Sequence, residues 1–374
     1  MLDEITRAVL SRDEIARYIE GADGDTGRAA RERVEAYLEE LRTTQRYSMY
    51  RALKHPVYLL LRTVERIGEN IDTAKSATRA GRIVYASNHR SHLDYLVAPL
   101  VLDDNGVRPP VIAAGINMFG GPLGLLNRHV TGALPIRRNS RDPVYLMTLK
   151  AYVAELLRKH DLFLFPEGGR SYSGEMKAPK TGLLHAALQA EHPRILIVPT
   201  AVSYDLVLED YVLSRQKVKR AQRPFSRELA EMVRYSVGYR SRAYVTFGQA
   251  ITVDGVDPNS RRAVLDFCHT IMKAVGRLYK VLPTAVVASA MRPSVTRREL
   301  EQRASAIIDT LASSGANLGV TSGPQAVDAA MEPLEARGIL VVEGSRVRVR
   351  DRNALRYYAR SLDHLLASPS RHTH

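Results

Sequence analysis

Residues 88–94 read Asn-His-Arg-Ser-His-Leu-Asp, and residues 165–171 read Phe-Pro-Glu-Gly-Gly-Arg-Ser. The first segment sets a histidine, His89, five residues before a carboxylate, Asp94. The second places a carboxylate, two glycines and an arginine in one tight turn. A base with an orienting acid, beside a glycine-arginine anion cradle, is a kit for acylating the hydroxyl of a phosphorylated alcohol. An alcohol is a poor nucleophile at neutral pH, so a group whose pKa lies near neutrality must take its proton as it attacks. Histidine meets that condition without perturbation. A carboxylate on its other ring nitrogen fixes the tautomer and stabilises the imidazolium.

The elements that position these groups follow from the flanking runs. Residues five apart lie about 140° apart on a helix, so His89 and Asp94 cannot share one helical face. Ile83-Val84-Tyr85-Ala86-Ser87 reads as a buried strand, and Ser91 to Asp94 fits a Ser-x-x-acid capping box. His89 therefore falls in a strand-to-helix turn, with Asp94 reaching back from the first helical turn. His92 is the rival base, but the first helical position points it elsewhere.

Leu162-Phe163-Leu164-Phe165 is a second strand-like run, stopping at Pro166 through Gly174. Paired glycines let backbone N–H groups approach an anion, and Arg170 offers a fork suited to phosphate. An ordinary surface turn with a solvated arginine is the plainer alternative. Gly132 to Arg138 runs from an apolar stretch into two arginines, and Ile195 to Val202 reads as a strand closed off by proline, Pro199. Four such runs ending in polar or glycine-rich turns predict an α/β fold, a mostly parallel sheet flanked by helices with its site at the strand ends.

These blocks resemble the glycerol-3-phosphate acyltransferase branch of the glycerolipid acyltransferase superfamily. The similarity rests on Asn-His89-Arg-Ser-His-Leu-Asp94-Tyr, Ala-Ala-Gly115-Ile-Asn117, Gly132 through Arg138, Phe-Pro-Glu167-Gly-Gly-Arg170-Ser171, Pro179-Lys180-Thr181-Gly182 and Ile-Val-Pro199. Their order and spacing hold over residues 80–250, with weaker similarity to about 365. The resemblance implies His89 as general base and Asp94 as its partner. It implies acceptor phosphate held by Arg138, Arg170 and Lys180, with Glu167, Gly168 and Ser171 completing the acceptor pocket. Direct transfer from acyl-CoA or acyl carrier protein, the co-substrate, would need no other cofactor and no metal. Lysophosphatidate and dihydroxyacetone phosphate are the alternative acceptors. Two departures bear on that choice: Pro135 replaces an aromatic or aliphatic residue, and Tyr172 stands where arginine is common.

The 374 residues carry a formal charge of +14, and residues 213–242 alone hold a net +7. An anionic membrane, the phosphates of coenzyme A or an acidic carrier protein, and nucleic acid would each suit that segment. The membrane is favoured, because the implied product is a lipid. Tyr204, Tyr211, Phe225 and Tyr235 are interleaved and suited to an interface. The expectation is a peripheral protein on the cytoplasmic side of the membrane. Cys268 is the one cysteine, set in a helix-like apolar run, and the His and Cys spacing gives no zinc pattern. Pro56 to Leu61 and Leu93 to Leu102 are apolar but too short to span a bilayer.

Residues 1–75 read as a helical N-terminal region, 76–255 as the α/β acyltransferase domain, and 256–374 as a helical C-terminal region. The last contains Ile339 to Val342 and Arg346 to Arg350, alternating strands around Glu343-Gly344. Helices before a small hairpin resemble a winged helix, which with a pI near 9.9 leaves nucleic-acid binding as a distant alternative. No tryptophan, 6% aromatic residues and no basic recognition helix weigh against it, so no nucleic-acid partner is expected.

Overall fold

The computed structural model describes residues 4–21, 25–51, 64–119, 124, 128–129, 131–190, 194–215 and 239–367. Pro56 to Leu61, Phe225, Tyr235 and the basic cluster Lys217, Lys219, Arg220 and Arg223 lie outside them.

One sheet organises the chain. Its strands are β1 (Val64–Glu69), β2 (Arg82–Ser87), β3 (Val111–Gly115), β4 (Ala133–Ile136), β5 (Leu162–Leu164), β6 (Ile195–Tyr204), β7 (Ser241–Phe247) and β8 (Ile251–Thr252). The order is β1-β7-β6-β2-β5-β3-β4, with β8 on β6. From β6 to β4 every neighbour is parallel, whereas β7 and β8 run antiparallel to β6. Five parallel strands thus deliver the segments after Ser87, Gly115, Ile136, Leu164 and Tyr204 to one edge. Strands covered on both faces need apolar residues at consecutive positions. That is why β2 from Ile83 onward and all of β6 are buried.

Alternation assigns β2 to two cores. Ile83 and Tyr85 face a cluster with Leu93, the N-cap, and Val97, Leu100 and Val101 of the helix Asp94–Asp104. Val84 and Ala86 face Tyr145, Leu149, Tyr152 and Val153 of the helix Pro143–Leu157. Against the second cluster also pack Val34, Leu38 and Leu41 of the helix Asp25–Leu41, and Cys268 and Ile271 of Arg261–Leu278.

Two expectations change. Residues 64–75 are not part of a helical N-terminal region, because β1 pairs in parallel with β7 and the helix Ile71–Ala80 follows it. A Cβ on Gly68 would come within 2.7 Å of Ile71 and Val101 side chains, so this strand is packed tightly beneath its helix. The boundary at 256 does not divide cores either: Val286, Val287, Leu300 and Tyr357 belong to the cluster that contains Tyr85 and Phe163.

The C-terminal hairpin forms as read, β10 (Leu340–Glu343) antiparallel to β11 (Arg346–Val349), around Gly344 at φ 62°. A third strand, β9 (Ser294–Thr296), pairs with β11. With the helices Arg297–Ser313 and Gly323–Ala336 between β9 and β10, the order matches a winged-helix arrangement. Among the described residues no helix is long and apolar enough to cross a membrane.

Candidate active site

The loop after β2 turns back at the sheet edge and presents the His89 ring. His89 Nδ1 lies 2.9 Å from Asp94 Oδ2, and Asp94 is the first residue of its helix. The capping box forms by half. Asp94 accepts the Ser91 N–H at 2.9 Å, but Ser91 Oγ turns to the Leu93 N–H at 3.0 Å. The imidazole also stacks on Phe165 from the neighbouring β5 turn, with centroids 4.0 Å apart.

Four consecutive amides of this loop end on carboxylates. His89 N–H donates to Glu167 at 2.9 Å, Arg90 and Ser91 N–H to Asp94 at 2.6 and 2.9 Å, and His92 N–H to Glu209 at 2.6 Å. Charge-assisted bonds of this kind are stronger than neutral ones, and buried loop amides left unmade are costly. A polar loop can therefore sit fully buried without sacrificing its shape.

Electrostatics leaves His89 neutral. Burial pushes its pKa well below the ordinary histidine value, and the charges of Arg138, Arg170 and Lys177 push the same way. Burial pushes the Asp94 carboxyl up, to about 7, while Ser91 N–H, Tyr204 O–H and Arg90 N–H pull it down. Oδ2 accepts two amides and faces the imidazole while Oδ1 accepts Tyr204 O–H at 2.7 Å. A protonated carboxyl would lose one of those acceptors, so the pair is a neutral imidazole on a carboxylate. With Nδ1 donating to Asp94, Nε2 carries the lone pair that can take a proton.

The β5 turn supplies the cations. Gly168 has φ 66°, and a Cβ there would lie 2.6 Å from Lys180 Cδ, so glycine lets the lysine stem cross the turn. Lys180 N–H donates to Pro166 at 2.8 Å and its ammonium to Asn139 Oδ1 at 2.8 Å. A Cβ on Gly169 would lie 3.7 Å from Lys177 Nζ and 3.8 Å from Arg138 Nη1, placing its open face between two cations. Arg170 Nη1 lies 3.5 Å from Glu209 Oε1. The structure thus brings Arg138, Arg170 and Lys180 from three segments to the face of one turn, where the charges of Arg138 and Arg170 act on His89.

Two residues expected in the acceptor pocket, Glu167 and Ser171, hold the loop. Glu167 is buried, and its oxygens accept the His89 and Lys177 amides, the latter at 3.0 Å. Buried Ser171 donates its amide to the His89 carbonyl at 2.9 Å, and its hydroxyl accepts Gly174 N–H at 3.0 Å. Tyr204, expected at an interface, is buried on Asp94; Tyr211 is 43% exposed, beneath the Arg215 guanidinium. His92 is buried with its pKa depressed by burial, and Asp94 faces the ring of His89. Burial pushes the Cys268 thiol up, to about 11, on a helix face packed into the second core cluster. Among the described residues no cluster of three or more His, Cys, Asp or Glu could hold a metal ion.

Sequence reasoning missed Glu209, Lys177 and Tyr204. Tyr204 closes β6 and Glu209 follows five residues later, leaving the same sheet edge as His89, which was the available signal. Lys177 sits ten residues past Glu167 in an irregular stretch and carries no local pattern.

The segment that carries these residues resembles known proteins. Residues 66–203 match the Acyltransferase family model. Over 338 residues the chain is 30% identical to a glycerol-3-phosphate acyltransferase of Pasteurella multocida, covering 81% of this chain and 42% of that one. It is 30% identical over 330 residues to the Haemophilus influenzae (strain PittEE) protein of the same name, covering 79% and 41%. The chain carries an acyltransferase domain and is similar over most of its length to glycerol-3-phosphate acyltransferases. A third such protein, from Histophilus somni, is 36% identical over 185 residues, 48% of this chain and 23% of its own. The chain spans less than half the length of these curated relatives. A solved lysophosphatidate acyltransferase from Thermotoga maritima aligns at TM-score 0.34 and 12% identity, over 71% of this chain and 91% of that one. A likeness of that size adds nothing to the sheet order itself.

Proposed function

We propose that the chain transfers a fatty acyl group from acyl-CoA or acyl carrier protein to a hydroxyl of sn-glycerol 3-phosphate, giving lysophosphatidate. One observation carries the reading: a neutral, carboxylate-backed imidazole beside Arg138, Arg170 and Lys177, whose charges all act on it. His89 Nε2 takes the hydroxyl proton as the oxygen attacks the thioester carbonyl. The C–S bond then breaks, and the imidazolium returns the proton to the leaving thiolate. The amides of residues 89–92 are committed to carboxylates, so the oxyanion is met by other donors. A phosphomonoester suits the cations, because close positive charges are costly until an anion joins them.

Association with an anionic membrane, on its cytoplasmic side, rests on the +7 segment at residues 213–242. Vesicle binding should need anionic lipid and weaken as salt rises, since exposed charges are screened over about 10 Å at moderate ionic strength. Reversing three of Lys217, Lys219, Arg220 and Arg223 should release the protein while sparing turnover of soluble substrates.

The function is tested with purified protein, labelled palmitoyl-CoA and three acceptors side by side. Glycerol 3-phosphate should turn over fastest. Faster acylation of lysophosphatidate or dihydroxyacetone phosphate would overturn the acceptor.

A further inference from the structure

Glu209 follows β6 at the mouth of the site and is 5% exposed. Burial pushes its carboxyl up, while Arg170, the His92 amide and Ser91 pull it down. Its two oxygens bridge the two halves of the site. Oε1 accepts the His92 N–H at 2.6 Å and lies 3.5 Å from Arg170 Nη1, while Oε2 accepts Ser91 O–H at 2.8 Å. A buried carboxylate is retained at such a place only if its contacts offset the cost of desolvation. The next residue fixes it from behind: Asp210 accepts Tyr358 O–H at 2.7 Å and pairs with Arg337 at 2.6 Å. The carboxylate is therefore anchored to the C-terminal region and cannot follow Arg170 if the arginine swings away.

We infer that Glu209 is a positioning residue for the acceptor: it holds the Arg170 guanidinium at the anion site and ties it to the catalytic loop. The inference rests on the proposed role of Arg170 in binding the acceptor phosphate. Without the carboxylate, the arginine stem has rotamers that take its fork out of the cradle. Ordering it again on each binding event weakens affinity for the phosphorylated acceptor, but not for the acyl donor. Glutamine at this position can still accept the His92 amide, so the loop keeps most of its shape.

The test is a double-mutant cycle on Glu209→Gln and Arg170→Ala, read as KM for glycerol 3-phosphate, KM for palmitoyl-CoA and kcat. Glu209→Gln alone should raise the acceptor KM roughly tenfold, the worth of one charge-assisted contact, and lower kcat by no more than about threefold. In the Arg170→Ala background the same change should add almost nothing. Additive effects on acceptor KM, or a larger loss in kcat than in acceptor affinity, would overturn the inference. Glu209→Asp, which keeps the charge and loses reach, provides a second variant: its acceptor KM should fall between wild type and Glu209→Gln. Failure of the acceptor assignment shows separately, as wild-type protein that does not acylate glycerol 3-phosphate. In that case the competitive inhibition constant of inorganic phosphate replaces KM in the same cycle.

Discussion

The loop after β2 and the turn after β5 meet at one sheet edge, yet they are built on opposite plans. In the loop, His89, Arg90, Ser91, His92 and Asp94 are each no more than 5% exposed, and consecutive amides are tied to carboxylates. In and beside the turn, Arg138 is half-buried, Lys180 is exposed, and the Arg170 side chain keeps 12% of its surface in water. The proposed base is preorganised before any substrate arrives, as electrostatic catalysis requires. The binding end leaves cations in reach of water, where a ligand can replace solvent at lower cost. On the proposed function, rate and affinity therefore belong to different segments.

Loss of the base should have the largest effect. His89→Ala should lower kcat by roughly 10²–10⁴-fold, the usual worth of a positioned proton acceptor. His92→Ala should be far milder; equal damage from both would break the assignment of the base. Asp94→Asn should cost on the order of 10²-fold in kcat with the fold retained, because the imidazolium loses its counter-charge. Circular dichroism and steady-state kinetics check both.

The binding end should respond in KM. Arg170→Ala should raise the acceptor KM about ten- to a hundredfold while the acyl-CoA KM stays within about twofold, as expected for lost uniform binding. A matching fall in kcat would erase the contrast between the two segments. The smallest effect joins them. Arg170 depresses the His89 pKa, so Arg170→Ala should move the acid limb of kcat/KM upward by roughly half a pH unit. A downward shift would mean that the charge does not reach the imidazole.

The sequence made the reacting end legible because its determinants are local. A parallel strand buried on both faces is a continuous apolar run, so β2, β5 and β6 announce themselves, and the turns after them are short. Asp94 reaching back to His89 follows from helix geometry over five residues. What stayed hidden depends on distant partners. β1 is a charged edge strand whose pairing with β7 lies far along the chain, and β9 spans three residues after Pro293. Glu167 and Ser171 look like ligand groups in sequence, and only folding shows that they hold the His89 backbone. Glu209 and Lys177 reach the site through tertiary packing alone.

The most direct test of the central claim is the pH dependence of kcat/KM for glycerol 3-phosphate. A base must be neutral to act, so activity falls as pH drops through the pKa of the free enzyme's His89. Burial and three nearby cations hold that pKa well below 6.5. The wild-type acid limb should lie clearly under the ordinary histidine value, after correction for the second ionisation of the acceptor phosphate, and should vanish from the residual rate of His89→Ala. A limb at or above 6.5, or the same limb surviving in His89→Ala, would contradict the claim that His89 is the base.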